Sequence, residues 1–229
     1  MAGPDRRSSD EDDEPGGIVY VTDVVSSAGS VLLVGALLFA VSGVWPPLVA
    51  IESPSMDPHI KEGDLVFVME ETRFSGPGAH HGVVTAASDG GYTKFQRTGD
   101  VIVYEPDGNG DQTPIIHRAM LWVEDGENWY DRANPEYIGG ADNCEELTSC
   151  PADYSGFITK GDNNGAYDQV GSNPISDPVK PDWVIGTAEL RVPVLGQIRL
   201  QWSEARGATR PGAAGTHTNA TGANATAPA

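Results

Sequence analysis

An uncharged, mostly apolar run from Val24 to Ile51 constrains this chain more than any other feature of its sequence. As a helix, the part that ends at Trp45 would be roughly 33 Å long, which matches the hydrocarbon thickness of a bilayer. Pro46-Pro47 ends the helical pattern, and a tryptophan beside it suits the membrane interface. The segment in front is long and acidic, unlike that of a cleaved signal peptide. We therefore expect residues 24–50 to be an uncleaved transmembrane anchor.

The two ends of the chain have compositions that do not favour a packed core. Residues 1–23 are polar and carry the acidic block Asp10–Glu14, which is typical of a disordered tail. Residues 207–229 contain mostly Gly, Ala, Thr, Asn and Pro, which predicts a flexible low-complexity tail. The globular part is therefore expected within residues 51–206.

Signals for membrane orientation lie on both sides of the anchor. Arg6 and Arg7 precede it and slightly favour a cytoplasmic N-terminus. Asn219 and Asn224 begin Asn-x-Thr sequons, which favour an external C-terminus. The prediction is a single-pass protein of the cell membrane with its main domain on the outer face.

Short β-prone runs separated by Gly-, Pro-, Asn- and Asp-rich turns follow the anchor. No window beyond residue 51 has convincing helical periodicity, so we predict a mostly β domain. The predicted strands are Leu65–Met69, Val101–Tyr104, Ile115–Val123 and two shorter runs within Val184–Leu200.

The charge of the chain restricts its partners. With 33 acidic against 14 basic residues, the net charge is −19, and no basic stripe is available for nucleic acid. An acidic surface of this kind fits a protein that stays soluble in high salt, where repulsion between carboxylates is screened. A halophilic source is the resulting hypothesis.

The two cysteines, Cys144 and Cys150, lie in a loop rich in Gly, Asp and Asn. Two sulfur ligands without a nearby histidine make a poor zinc site. The sequence leaves open a disulfide that closes this loop or a pair of free thiols.

The segment Glu52–Pro58 follows the anchor directly and contains two serines, Ser53 and Ser55. Pro54 and Pro58 bias the residues before them toward extended conformations, and in an extended chain these two serines point the same way. Most Ser-Pro pairs are simple turns, so the segment alone does not establish a nucleophile.

A nucleophilic serine needs a base, and His117 is the candidate. It lies in the predicted strand Ile115–Val123, where period-two counting places it on one face with Ile115, Ala119 and Leu121. An imidazole on an apolar wall can act as a base near neutral pH. A hydrogen-bonded core histidine is the alternative.

A carboxylate that orients the histidine is expected from the segment Phe157–Asp168, which we predict as a loop. It offers Asp162 and Asp168, and their spacing does not choose between them. A calcium loop is a competing interpretation, but the sixth-position glycine and closing glutamate of that pattern are missing.

Five short segments in this order resemble the sequence boxes of type I signal peptidases, over roughly residues 30–200. They are Ser53–Pro58, Gly63–Val66, Gly99–Tyr104, Ile116–Arg118 and Lys160–Asn164. Bacterial members place a lysine base where this chain has His117, so the sequence is similar to the archaeal and endoplasmic-reticulum branch. Together with its acidity, this suggests a haloarchaeal enzyme.

The resemblance implies a coiled antiparallel β-sheet fold and a role for each site residue. Ser55 would be the nucleophile, His117 the general base and Asp168 the carboxylate that orients it. Asp162 would support the site, and Ser53 would help bind the oxyanion together with the backbone N–H of Ser55. No metal or cofactor is implied. The implied partners are signal-peptide-bearing preproteins, cleaved after small-x-small sites, the lipid bilayer and the protein-translocation machinery.

The chain departs from the family pattern in three ways. Pro54 stands where many members have glycine, the stretch 124–156 looks like an insertion, and the C-terminal membrane span of some relatives is missing. Two other functions remain open. One is a protease of the same fold that processes another pro-protein. The other is a non-enzymatic anchored surface protein with cation-binding acidic loops.

Overall fold

The computed structural model describes residues 16–193, which form one apolar helix and a mostly β domain. The helix α1 spans Gly16–Ser42, and the strands are β1 Leu48–Ala50, β2 Leu65–Met69, β3 Thr93–Lys94, β4 Arg97–Thr98, β5 Val101–Tyr104, β6 Ile115–Val123, β7 Gly156–Lys160 and β8 Val184–Val192. Six strands form one antiparallel sheet in the order β1-β2-β8-β5-β6-β7, and β3 and β4 form a separate hairpin. The predicted fold class is confirmed. The expectations for residues 1–15 and 194–229, including the sequons, lie outside the described residues.

Helix α1 is long and apolar enough to cross a membrane, with a mean hydropathy of 2.3 over Tyr20–Ser42. It begins at Gly16, within the predicted disordered tail 1–23, and ends before the predicted anchor 24–50 does. Gly43 ends it with a φ of +81°, a left-handed conformation that favours glycine, and donates its N–H to Phe39 O at 2.8 Å. The helix therefore stops before Pro46-Pro47, and the last residues of the predicted anchor form β1 instead.

Hydrogen bonds attach the end of α1 to the sheet. Ser42 Oγ donates to Val68 O at 2.7 Å, and the backbone N–H of Glu70 donates to Ser42 O at 2.9 Å. Arg73 Nη1 donates to Ala40 O at 2.9 Å, which satisfies a carbonyl of the last helical turn. These contacts fix β2 next to the end of the helix.

Three of the predicted strands are confirmed as β2, β5 and β6, while one other prediction is corrected. Within Val184–Leu200 the structure has one long strand, β8, and its remaining residues after Pro193 are outside the described part. The start of the predicted loop Phe157–Asp168 is instead strand β7. All five β7 residues are buried, so the strand lacks the alternation of polar and apolar residues that marks a half-buried strand.

A bulge in β6 separates Leu121 from the face that it was predicted to share with His117. The register with β7 shifts between Ala119 and Leu121. An extra residue in one strand reverses the alternation of side chains beyond it. His117 and Ala119 are buried as expected, but Leu121 packs in a different core cluster, with Trp129.

The stretch between β6 and β7 contains only short 3-10 turns, and a disulfide joins Cys144 to Cys150 within it. The disulfide is thus the one of the two predicted alternatives that the structure contains. Trp129, fully buried, donates its indole N–H to Ser149 O at 2.7 Å and packs edge-to-face with Tyr167. This lobe therefore packs against the segment that carries Asp168.

Candidate active site

The serine segment forms a single 3-10 turn at Pro54–Met56, and the residues before the two prolines, Ser53 and Asp57, are extended as predicted. Ser53 is extended, with φ −137° and ψ 154°, but Pro54 starts the turn, a position that its fixed φ suits. Met56 is fully buried and holds the turn against the core. The two serines still face each other, with their Oγ atoms 3.0 Å apart.

The loop after β7 donates hydrogen bonds to this turn. Asn163 donates its backbone N–H to Ser55 O at 2.8 Å, and Asp162 N–H points to Met56 Sδ at 3.4 Å. A Cβ on Gly161 would lie 2.7 Å from Ser55 O, so only glycine allows this close approach. The Lys-Gly-Asp-Asn segment thus sets the position of the Ser55 backbone.

His117 and Asp168 form a buried pair. His117 lies on β6 and has 3% of its surface exposed, and its Nδ1 is 2.6 Å from Asp168 Oδ2. Asp168 lies in the loop beyond β7, where its N–H donates to Thr159 O at 2.9 Å. An acceptor at Nδ1 favours the tautomer whose Nε2 is unprotonated and free to take a proton.

Asp162 has a different set of partners. Arg118 donates Nε to Oδ1 at 2.8 Å and Nη2 to Oδ2 at 2.7 Å, a bidentate pair with both side chains buried. Arg97 Nη1 lies 3.7 Å from Oδ1, and His59 Nδ1 lies 3.0 Å from Oδ2 without the alignment of a hydrogen bond. Among the described residues, Asp162 makes no hydrogen bond with His117.

Two hydroxyls and a lysine that the sequence did not single out surround the Asp168 loop. Tyr104 on β5 and Thr159 on β7 donate to Asp168 Oδ2 at 3.0 and 2.7 Å. Burial, and next the charge of Asp168, raise the pKa of Tyr104 well above its ordinary value. Lys160 Nζ donates to Gly161 O and Asn164 O at 2.8 and 2.7 Å. Burial, followed by the charge of Arg97, lowers the pKa of Lys160.

A cavity of about 660 Å³ opens at the serine turn, and Ser53, Ser55 and His117 all line it. Its walls include residues of β1 and the start of β6. β7 pairs with β6 only from Arg118 onward, and β1 pairs only with β2 within the described strands. The cavity therefore lies between two strand edges that have backbone groups available for an added strand.

Trp45 connects this cavity to the membrane helix. It lines the cavity at the serine turn and also a second, apolar cavity of about 510 Å³ along α1. The other residues of the second cavity are Val31, Leu32, Gly35, Ala36 and Phe39. An apolar surface of the anchor thus continues to the edge of the proposed site.

The structure places the five predicted site residues in two adjacent groups. The cavity is lined by Ser53, Ser55 and His117, and Asp168 lies behind it in contact with His117. Asp162 instead binds Arg118. Within residues 16–193, no group of three or more His, Cys, Asp or Glu side chains is arranged to hold a metal ion. The arrangement has the parts that acyl transfer by a serine needs: a hydroxyl, an imidazole and a carboxylate that orients the imidazole.

No model of a protein family matches the chain. The chain is similar to the protein described as signal peptidase complex catalytic subunit SEC11 from Saccharomyces cerevisiae strains YJM789, RM11-1a and JAY291. In each case 26% of 159 aligned residues are identical, and the alignment covers 69% of this chain and 66% of the relative. The chain thus spans just under two thirds of the length of these curated relatives. The similarity is distant, and it supports the resemblance to the archaeal and endoplasmic-reticulum branch of type I signal peptidases.

Proposed function

We propose that this chain is a membrane-anchored serine endopeptidase that removes N-terminal signal peptides from secreted preproteins. The observation that carries the proposal is the buried pair of His117 and Asp168, whose histidine lines the same cavity as Ser55. The distant similarity to SEC11, described as the catalytic subunit of a signal peptidase complex, supports the choice of substrate. In this reaction Ser55 is the nucleophile, His117 the general base and Asp168 the orienting carboxylate.

The mechanism follows from these roles. His117 Nε2 takes the hydroxyl proton of Ser55 as Oγ attacks the scissile carbonyl carbon, and the imidazolium is stabilised by Asp168. The backbone N–H of Ser55 and the hydroxyl of Ser53 donate to the oxyanion, and such donors typically contribute about 3 kcal/mol each. The imidazolium then protonates the leaving amine as the C–N bond breaks. A water molecule, activated by the same histidine, hydrolyses the acyl-enzyme and releases Ser55.

The cavity suits an extended peptide that is continuous with a membrane segment. An extended chain binds by pairing with an exposed strand edge, with alternate side chains entering pockets. Two small pockets of the enzyme at alternating positions would then select small substrate side chains, which gives the small-x-small preference before the cut. The apolar signal segment remains in the bilayer beside α1, and Trp45 marks the passage between the two. The protein-translocation machinery is the proposed source of these substrates.

The proposed topology puts the N-terminus in the cytoplasm and the β domain on the outer face of the cell membrane. Protease added to intact cells should then cut within the β domain, beyond residue 51, while an epitope at the N-terminus stays protected. The opposite pattern would separate the site from translocated substrates and contradict the topology.

The acidic composition supports a haloarchaeal origin as a further part of the proposal, since a net charge of −19 is tolerated best where salt screens it. The free energy of unfolding of the purified protein should rise from dilute buffer to molar salt. Greatest stability in dilute buffer would contradict this origin.

Cleavage of a model preprotein by the detergent-solubilised full chain tests the function. The substrate carries an apolar segment followed by Ala-x-Ala, and mass spectrometry locates the cut. Wild-type protein should cut after the second alanine, Ser55→Ala should be inactive, and the control Ser88→Ala should retain full activity. Labelling of Ser55 by a serine-reactive probe without preprotein cleavage would instead favour a protease of another pro-protein. Absence of both reactions would favour a non-enzymatic surface protein.

A further inference from the structure

The Asp168 carboxylate accepts three hydrogen bonds, and all three go to the same oxygen. Its Oδ2 lies 2.6 Å from His117 Nδ1, 2.7 Å from Thr159 Oγ1 and 3.0 Å from Tyr104 Oη. The four side chains come from β5, β6, β7 and the loop beyond β7. At most 3% of each residue is exposed. The contacts therefore join three neighbouring strands at one carboxylate oxygen.

A fully buried glutamine, Gln169, also contacts the Thr159 hydroxyl. Its Oε1 accepts the backbone N–H of Thr159 at 2.9 Å, and this contact fixes the orientation of the amide. Its Nε2 then donates to Thr159 Oγ1 at 3.3 Å. The carboxylate has no hydrogen to donate, so the Thr159 hydroxyl donates to Asp168 Oδ2 at 2.7 Å, which is nearer than its contact with Tyr104 Oη at 3.3 Å. The tyrosine hydroxyl stays protonated because burial and the neighbouring carboxylate raise its pKa.

The two hydroxyls perform a task that an arginine cannot perform here. A buried carboxylate needs donors that offset its lost hydration. A guanidinium, as at Asp162, would also neutralise the charge that stabilises an imidazolium. Hydroxyl groups fix the carboxylate and leave it a full negative charge for His117.

We propose that Tyr104 and Thr159 are positioning residues of the reaction, which hold Asp168 Oδ2 against His117 Nδ1 and thereby set the basicity of the imidazole. This inference rests on the proposed function, because it assigns the two hydroxyls a role in the same proton transfer. Other charges near the pair are few among the described residues. Asp107, beyond β5, interacts electrostatically with Tyr104. Lys160, on β7, interacts electrostatically with Asp168.

Tyr104→Phe tests the proposal, and the chain supplies a matched control. Tyr92 Oη donates to Asp100 Oδ1 at 2.9 Å, so Tyr92→Phe removes the same kind of hydrogen bond away from the cavity. With the model preprotein, Tyr104→Phe should lower kcat about 10- to 100-fold with little change in KM, since a hydrogen bond to a charged group is lost. The acid limb of its pH–rate profile should move to higher pH, because a carboxylate with fewer donors holds the imidazolium more strongly. Tyr92→Phe should keep the wild-type kcat and profile.

A second pair of variants keeps the test decisive if Tyr104→Phe does not fold. Thr159→Val removes the other hydroxyl at nearly constant volume and should move the profile in the same direction. Thr159→Ser keeps the hydroxyl and should restore the wild-type profile. A kcat and a pH profile like those of Tyr92→Phe, in folded variants at both positions, would overturn the inference.

Titration of His117 by NMR separates this inference from the proposed function. If wild-type protein cleaves no preprotein, the proposed function fails, but the pKa of His117 can still be measured. A higher His117 pKa in Tyr104→Phe and Thr159→Val than in wild type supports the positioning role. An unchanged His117 pKa in both variants contradicts it.

Discussion

The surroundings of Asp162 and Asp168 differ more than their positions in one loop would suggest. Both carboxylates are almost fully buried. Asp162 is paired with the guanidinium of Arg118, while Asp168 accepts hydrogen bonds from two hydroxyls and an imidazole. An ion pair neutralises its carboxylate, and neutral donors leave the charge available to a neighbouring histidine. The two carboxylates thus differ in the type of donor and not in burial, and only Asp168 keeps a charge available for the proposed reaction.

Asp168→Asn gives the largest expected effect. The amide favours the wrong tautomer of His117, so kcat should fall by around 10⁴ while the fold stays intact. Steady-state cleavage of the model preprotein and thermal unfolding measure the two quantities. Asp100→Asn is the matched control, because Asp100 is also buried and also accepts a tyrosine hydroxyl. A folded Asp168→Asn variant with a near-wild-type rate would contradict the proposal that Asp168 orients His117.

Asp162→Asn should act mainly on stability. It leaves the buried Arg118 guanidinium without its carboxylate, which typically costs about 3–5 kcal/mol in the free energy of unfolding. Activity should fall as well, because the loop that supports the Ser55 turn is disturbed. Denaturant unfolding measures the first effect. The uncharged pair Asp162→Leu with Arg118→Met should recover part of the lost stability. A fully stable but inactive Asp162→Asn variant would assign this aspartate to the reaction instead.

Ser53→Ala tests the proposed oxyanion donor beside Ser55. If the Ser53 hydroxyl donates to the oxyanion, its loss should lower kcat by about 10²–10³ and leave KM nearly unchanged. The two serine Oγ atoms are only 3.0 Å apart, so the hydroxyl lies next to the reacting atom. Ser88→Ala serves as the control. An effect confined to KM would make Ser53 a substrate-positioning residue.

Much of the fold was predictable because its signals are local. The uncharged run that begins at Val24 marks most of α1, and β-prone runs between turns mark β2, β5 and β6. Strand β7 was missed because burial of all its residues removes the alternation of polar and apolar positions. The bulge that moves Leu121 to another cluster depends on pairing with β7, which no local pattern records.

The candidate site was predictable to a smaller extent. Its residues meet through contacts between distant segments, and spacing along the chain does not encode these. The spacing of Asp162 and Asp168 does not choose between them for this reason, and only the resemblance assigns Asp168 to the histidine. Tyr104 had no signal of its own because it looks like an ordinary strand residue, and Thr159 had none because it lies in a segment that the sequence predicts as a loop. The register that pairs Ile102 with His117 brings β5 beside the histidine, and only the assembled sheet shows it.

Covalent labelling tests directly whether Ser55 is a nucleophile that His117 activates. An alanine-based peptidyl phosphonate, which modifies serines activated by a neighbouring base, is added to the solubilised full chain, and peptide mass spectrometry locates the adduct. The account predicts one adduct, on Ser55, that is lost in His117→Ala and retained in His80→Ala. An adduct on another residue, or labelling of Ser55 at the wild-type rate in folded His117→Ala, would contradict it.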